Sequence, residues 1–364
     1  MSTRSRSILA QVASFLLAGV LLYLALRGVD LRTVFAALKG ADYTWLLPLV
    51  VIVLLSHVIR AWRWRVLIKA LPEVESGERE PGSTGAAFSS LMIGYMVNYA
   101  APRLGEVART VTLTARTGIG FSSIFGTVVV DRILDVVALA LGLVSVGFLL
   151  IDRFSTVNSL FIEPVATQLG RVPALALLVV IVAIGILVLL VYRQVLRRSS
   201  STIQNFWTER AAPIVASFKS GILTLIRSKN RVGLLVSTVA IWILYVMMAH
   251  LPFIMLGMDQ AFDISVLDSW SIMLLGAIGV AIPSPGGTGS YHYITIQTLV
   301  FLFGVDSENA ATYAVLVHAS QMLLYVAMGA VFLMLQGSSV RTLRARTMQA
   351  PASSRTTEYT DSQS

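Results

Sequence analysis

Long apolar runs recur along the chain at 8–26, 43–64, 121–151, 171–193, 231–258 and 309–336. An apolar helix of about 20 residues crosses the hydrocarbon of a bilayer. In lipid the backbone must satisfy its own hydrogen bonds, so runs of this length become helices. Charged residues make up only 13% of the sequence, about half the share usual in a soluble domain. The expected fold is therefore all-α: a polytopic membrane helix bundle with about six full spans and two broken or re-entrant hairpins. Residues 1–336 read as one integral membrane domain with halves at 43–151 and 231–336, and 337–364 as a disordered, Ser/Thr-rich cytoplasmic tail.

The positive-inside rule orients these spans. The segment 193–231 carries Arg193, Arg197, Arg198, Arg210, Lys219, Arg227, Lys229 and Arg231 against Glu209. It is expected in the cytoplasm, together with Arg4 and Arg6 and with Arg341, Arg344 and Arg346 of the tail. Both termini would then be cytoplasmic, in a cell (inner) membrane. The cluster Arg60, Arg63, Arg65 and Lys69 ends the second run on the same side, and "RAWRWR" (60–65) reads as an aromatic and basic interface belt. These anchors leave 86–118 leaving and returning on the cytoplasmic face, and 264–303 doing so on the external face. Each half then reads as helix, broken hairpin, helix, in opposite orientation: an inverted repeat.

The remaining features are quickly placed. Residues 8–26 follow two arginines as a signal peptide does, but the run is long and no A-x-A site follows, so a retained helix is expected. The chain has no cysteine, which excludes disulfides and thiolate metal sites. The scattered histidines offer no metal-ligand spacing, and no cofactor is expected. A net charge of +9 raises nucleic acid as a partner for a soluble protein; here the basic residues flank spans, and no nucleic acid is expected. Residues 73–85 read as a polar loop, and 194–230 as an amphipathic surface segment.

Three stretches carry polar groups at membrane depth. In "NYAAPRLGE" (98–106), Pro102 ends a helix and Gly105 lets the backbone turn. Arg103 and Arg109 are expected to face an internal cavity, where a guanidinium matches a phosphate. Glu106 would hold an arginine or take a proton, and Asn98 would bond a headgroup. In "PSPGGTGSYH" (283–292), Pro283, Pro285, Gly286, Gly287 and Gly289 exclude a helix interior. The free N–H groups there and the start of a helix near Ser290 suit an anion, with His292 beside them. In "VVVDRILDVVAL" (128–139), Asp131, Arg132 and Asp135 lie inside an apolar helix. Such charges either pair structurally or line a pathway. His318 is a further polar residue deep in the last long run.

Taken in order, "RAWRWRVLI", "NYAAPRLGEVART", "DRILDVVAL" and "PSPGGTG" resemble the lysylphosphatidylglycerol synthase transmembrane region, also called the flippase-like domain family, over roughly 8–336. The resemblance implies an inner-membrane protein that handles lipids. In the multiple peptide resistance factors this kind of domain flips an aminoacylated phospholipid, and a soluble aminoacyltransferase domain follows it. The present chain ends soon after its last run, so translocation without synthase activity is expected. The first expectation is thus a lipid translocase for a phosphate-bearing headgroup, with membrane lipids as partners, anionic or polyprenyl-phosphate-linked. A membrane-embedded enzyme on a lipid headgroup and a non-catalytic accessory protein stay open. So do a homo-oligomer and a separate lipid-modifying enzyme as protein partners.

Overall fold

The structure, a computed structural model, describes residues 3–150, 223–282 and 284–337, with side chains from residue 11 onward. The expected span 171–193, most of 194–230, Pro283 and the tail beyond 337 lie outside these residues. All the regular elements among the described residues are helices. Ten of them organise the fold: α1 (Thr3–Leu26), α2 (Leu31–Gly40), α3 (Leu46–Lys69), α4 (Thr84–Ala100), α5 (Gly105–Thr117), α6 (Phe121–Leu149), α7 (Arg231–Met255), α8 (Val266–Ala281), α9 (Ser290–Phe303) and α10 (Ser307–Leu335). By length and composition α3, α6, α7 and α10 each suffice to cross a membrane, and α1 with α2 makes a fifth candidate, bent by 84°.

The sequence marks where each helix starts and stops. Asp30, Ser83, Asn230, Ser265 and Asp306 each accept a backbone N–H of the first turn of α2, α4, α7, α8 and α10, as N-caps do. Ser265 and Asp268 complete a capping box. Gly118 and Gly304 close α5 and α9 in the left-handed conformation, which costs glycine little. The amphipathic α2 had no counterpart in the sequence reading. Its ten residues are too few for a span, and Arg32 and Lys39 interrupt the apolar run.

The two broken regions fold back on themselves. In the first, Arg116 near the end of α5 donates to Ser89 near the start of α4 at 2.8 Å. A Cβ on Gly94 of α4 would stand 2.8 Å from the carbonyl oxygen of Gly105, the first residue of α5. In the second, a Cβ on Gly279 of α8 would stand 2.8 Å from the carbonyl oxygen of Ser290, the first residue of α9. Each hairpin thus closes on a glycine where backbones nearly touch. The elements on either side match in length: α4 and α8 have 17 and 16 residues, α5 and α9 have 13 and 14, and α6 and α10 have 29 each. Helices α3 and α7 pack together at the centre, α4 packs along α10, and α8 packs along α6.

Candidate functional site

Three elements deliver charge to one point inside the bundle. Helix α3 presents Arg60 and Arg63, three residues apart and so on one face. Helix α6 presents Asp131 and Asp135, one turn apart. Helix α5 presents Glu106 and Arg109. Arg63 is the hub: its Nη2 donates to Asp131 Oδ1 at 2.7 Å and to Asp135 Oδ1 at 2.6 Å, and its Nε to Asp131 Oδ1 at 3.0 Å. Its Nη1 reaches Thr238 Oγ1 of α7 at 3.1 Å. Arg60 pairs with Asp135, stands 3.5 Å from Asp131 and donates to the Tyr245 hydroxyl of α7 at 2.7 Å. Arg109 Nη1 donates to Asp131 Oδ2 at 3.3 Å, and its guanidinium lies over the Trp64 ring.

The interface belt expected for 60–65 is therefore corrected. Arg60, Arg63 and Trp64 are buried, and Trp64 is fixed by a 2.9 Å hydrogen bond from its Nε1 to Thr127. The signal was present in the spacing. Arg60 lies nine residues before the end of α3 at Lys69, about 13 Å deep at 1.5 Å per residue, too deep for a belt at the helix end. Ionic groups withdrawn from water are costly unless paired and hydrogen-bonded, and the network supplies both.

The pairing is incomplete on the positive side. Arg60, Arg63, Arg109 and Arg132 face Asp131, Asp135 and Glu106, so one positive charge is in excess among the described residues. Arg109 keeps its Nε and Nη2 without a hydrogen-bond acceptor among the described residues although it is only 2% exposed. The opening of the cluster is Arg132, whose side chain is 41% exposed and whose Nη2 meets Glu106 Oε1 at 2.5 Å. Arg132 lies eleven residues into α6, about 16 Å along its axis.

The other expected site residues take different places. Asn98 Oδ1 accepts the N–H of Gly105 at 2.8 Å and so closes the first hairpin. Arg103 is exposed in the loop after α4 and makes no ion pair among the described residues. It carries the left-handed φ of 64° itself. Gly105, expected to turn the backbone, instead provides the close approach to Gly94. Pro102 lies just past Ala100, where α4 stops.

The tip of the second hairpin reaches the first. Pro285, Gly286 and Gly287 form one tight turn, with Gly286 at φ 58° and Gly287 at φ 80°. A Cβ on Gly286 would fall on the ring of Tyr99, in the last turn of α4. Gly289, at φ 83°, lies against the backbone of Ala18 and Leu22 in α1. His318 of α10 stands at this junction, 3.1 Å from the Thr288 hydroxyl and 6.0 Å ring to ring from Tyr99. His292 of α9 lies 4.7 Å from His318. An aromatic column links junction and cluster: Tyr95 stacks on Tyr325, whose hydroxyl is 2.9 Å from His57 Nε2, one turn from Arg60. Sequence reasoning missed Arg60, Arg63 and Tyr245 as partners of the charges, because only the packing of α3 on α6 and α7 brings them together.

A family model described as "Lysylphosphatidylglycerol synthase TM region" matches residues 11–329. The chain belongs to that family. With its apolar helices, this makes it a multi-pass membrane protein. The match takes in both hairpins, the charge cluster and the junction. The chain is also 27% identical over 333 residues to "Glycosyltransferase AglD" of Haloferax volcanii, covering 85% of this chain and 51% of that protein. It thus spans about half the length of that curated relative. No solved structure matches the chain. Among the described residues no group of three or more His, Asp or Glu side chains is placed to hold a metal ion.

Proposed function

We propose that this protein is a lipid translocase that passes a phosphate-bearing headgroup between its two broken hairpins. The observation that carries the reading is the surplus of guanidinium over carboxylate at membrane depth. Among the described residues four arginines meet three acids, and Arg109 holds two donors in reserve. A buried unpaired donor costs free energy that an incoming phosphate would return, and a guanidinium binds phosphate well through parallel hydrogen bonds. Arg132, half-exposed and paired with Glu106, is the entry. Glu106 would release it as the headgroup arrives. Asp131 and Asp135 hold Arg60 and Arg63 in place, and Arg103, Asn98 and His292 border the route.

The matching lengths of α4 to α6 and α8 to α10 support an inverted repeat, with hairpins entering from opposite leaflets. Each entering helix, at 17 or 16 residues, is about 25 Å long, enough to bring both tips deep into the bilayer. In this reading both termini are cytoplasmic, the membrane is the cell membrane, and the lipid is anionic or polyprenyl-phosphate-linked. Membership of the family is consistent with lipid handling.

The test uses the full chain in proteoliposomes with a fluorescent anionic phospholipid, whose outer-leaflet fraction is read by quenching. Wild type moves the lipid. Arg109→Gln and Arg132→Gln each lower the rate about tenfold or more, since a charge-assisted hydrogen bond is worth about 1.5–3 kcal/mol. Unchanged rates in both variants would sink the proposal. A second reading, an enzyme acting on a lipid headgroup, is favoured by the name of the Haloferax volcanii relative, a glycosyltransferase. It predicts a new lipid product without change of leaflet. Glu106 is a poor general base for it while it is bonded to Arg132.

A further inference from the structure

Between the charge cluster and the hairpin junction lies a group of rings. Helix α3 sends His57 to it, α4 sends Tyr95 and Tyr99, α7 sends Tyr245, and α10 sends Tyr325. His57 lies 4.9 Å from Tyr95 and 5.1 Å from Tyr325, ring to ring, and Tyr95 stacks on Tyr325 at 5.0 Å. Tyr99, one turn beyond Tyr95 on α4, carries the row to His318 and to Gly286 of the second hairpin. All four tyrosines are half-buried. Two of their hydroxyls are engaged: Tyr245 accepts from Arg60, and Tyr325 bonds His57. Those of Tyr95 and Tyr99 have no hydrogen-bond partner among the described residues and are not sealed from water.

We infer that the headgroup taken here is a phosphodiester bearing an uncharged, polyhydroxylated group: a sugar, an inositol or a glycerol. The inference rests on the translocase reading and names its substrate class. Charge supplies half of the reasoning. Among the described residues four arginines face three carboxylates, a surplus of one. A single phosphodiester neutralises it. A zwitterionic headgroup would leave the surplus standing, and a doubly charged phosphate would overshoot it. Either imbalance is costly where water is largely excluded. The rings supply the other half. A phenol joins an apolar face to a hydroxyl that donates and accepts. The C–H face of a sugar or polyol can rest on such rings while its hydroxyls bond those of Tyr95 and Tyr99. Aromatic faces also attract cations, but the guanidinium of Arg60 already stands among these rings and opposes a second one. A headgroup that carries an amine is therefore the wrong match. The phosphate would sit on Arg109 and Arg132, and the hydroxylated group along Tyr95 and Tyr99, toward the junction.

The test begins with the full chain in detergent and water-soluble headgroups, in mildly alkaline buffer. Glycerophosphoinositol should raise the midpoint of thermal unfolding. Glycerophosphoethanolamine, a zwitterion, and glycerol 3-phosphate, a dianion, should raise it less. Glycerophosphoglycerol, an open chain, should act more weakly than the inositol ring, which covers more aromatic face. In proteoliposomes, fluorescent phosphatidylinositol should move about tenfold faster than phosphatidylethanolamine, the effect of two hydrogen bonds. Tyr95→Phe with Tyr99→Phe, which keeps both rings and their packing, should erase that lead. Should the variant not fold, the wild-type ratios decide by themselves. Equal rates for the two lipids, or a lead for the ethanolamine lipid, overturn the inference and leave the translocase standing. Stabilisation by glycerophosphoinositol with no lipid moved overturns the translocase and leaves the headgroup class standing.

Discussion

At the scale of single residues, the buried ions set the largest penalties. Arg63 and Asp131 have fully buried side chains, paired at 2.7 Å. Removing either one unbalances the buried network and leaves hydrogen bonds unmet, although Asp135 still faces Arg63, and Arg60 and Arg109 still face Asp131; breaking a buried pair costs about 3–5 kcal/mol. Asp131→Asn and Arg63→Ala are thus expected to lower the midpoint of thermal unfolding in detergent sharply. Arg63→Met with Asp131→Leu should recover part of the loss, because replacing a buried pair by apolar side chains is often neutral; the remainder is the carboxylate that Arg109 loses with Asp131. A double variant no better than the singles would show that Thr238 and Asp135 depend on Arg63 as much as Asp131 does. Arg103 makes the opposite prediction. Its positive φ strains any side chain with a Cβ by about 1–2 kcal/mol, so Arg103→Gly should stabilise the fold. If the same variant slows lipid movement, the strain is retained for function. The charges of α6 were legible in the sequence, because three ions inside an apolar run cannot be accidental. Their partners were not. "RAWRWR" has the composition of a headgroup belt, and only its distance from Lys69 separates a belt from a core.

At the scale of elements, long spans were the most legible feature. Helices α3, α6, α7 and α10 lie within a few residues of the apolar runs that announced them. The break after Ala100 was legible as well, because Pro102 cannot continue a helix. The reason Gly94, Gly105 and Gly279 are small was not, since each answers to a backbone that arrives from another element. Alanine at Gly94 or Gly279 places a Cβ 2.8 Å from a carbonyl oxygen. The two arms of the hairpin must separate, at about 1–3 kcal/mol each. Hydrogen exchange should rise in α4 and α5 for the first variant and in α8 and α9 for the second. Equal loosening of all four helices would mean that the hairpins are one cooperative unit. At the start of α10, partial burial pushes the Asp306 carboxyl up, but hydrogen bonds from the backbone and side chain of Asn309 outweigh it and hold the group below its usual range. Its folded value is the lower one, so the cap contributes above the usual carboxylate range and is lost as the pH falls through that value. Asp306→Ala should cost about 1 kcal/mol at neutral pH and little in strong acid.

At the scale of the whole molecule, the correspondence between halves makes a prediction about sidedness. If the halves correspond as their helix lengths do, the loop before α4 and the loop before α8 are equivalent, each leading into the first helix of a hairpin. If the halves are inverted, those loops lie on opposite faces. Glu80 and Asp263 are exposed in them, and the chain has no cysteine of its own. Single cysteines at these two positions therefore report without background. With an impermeant maleimide on intact cells, Asp263→Cys should label at once, and Glu80→Cys only after the membrane is opened. Positive charge argues for this direction: by the positive-inside rule the arginine-rich segment 193–231 is expected in the cytoplasm, which would make α7 run outward and put the α7–α8 loop outside. Were both positions to label from one side, the hairpins would enter from the same leaflet. The contact between Tyr99 and Gly286 would then be a surface feature, and no headgroup could reach Arg109 by passing between the tips.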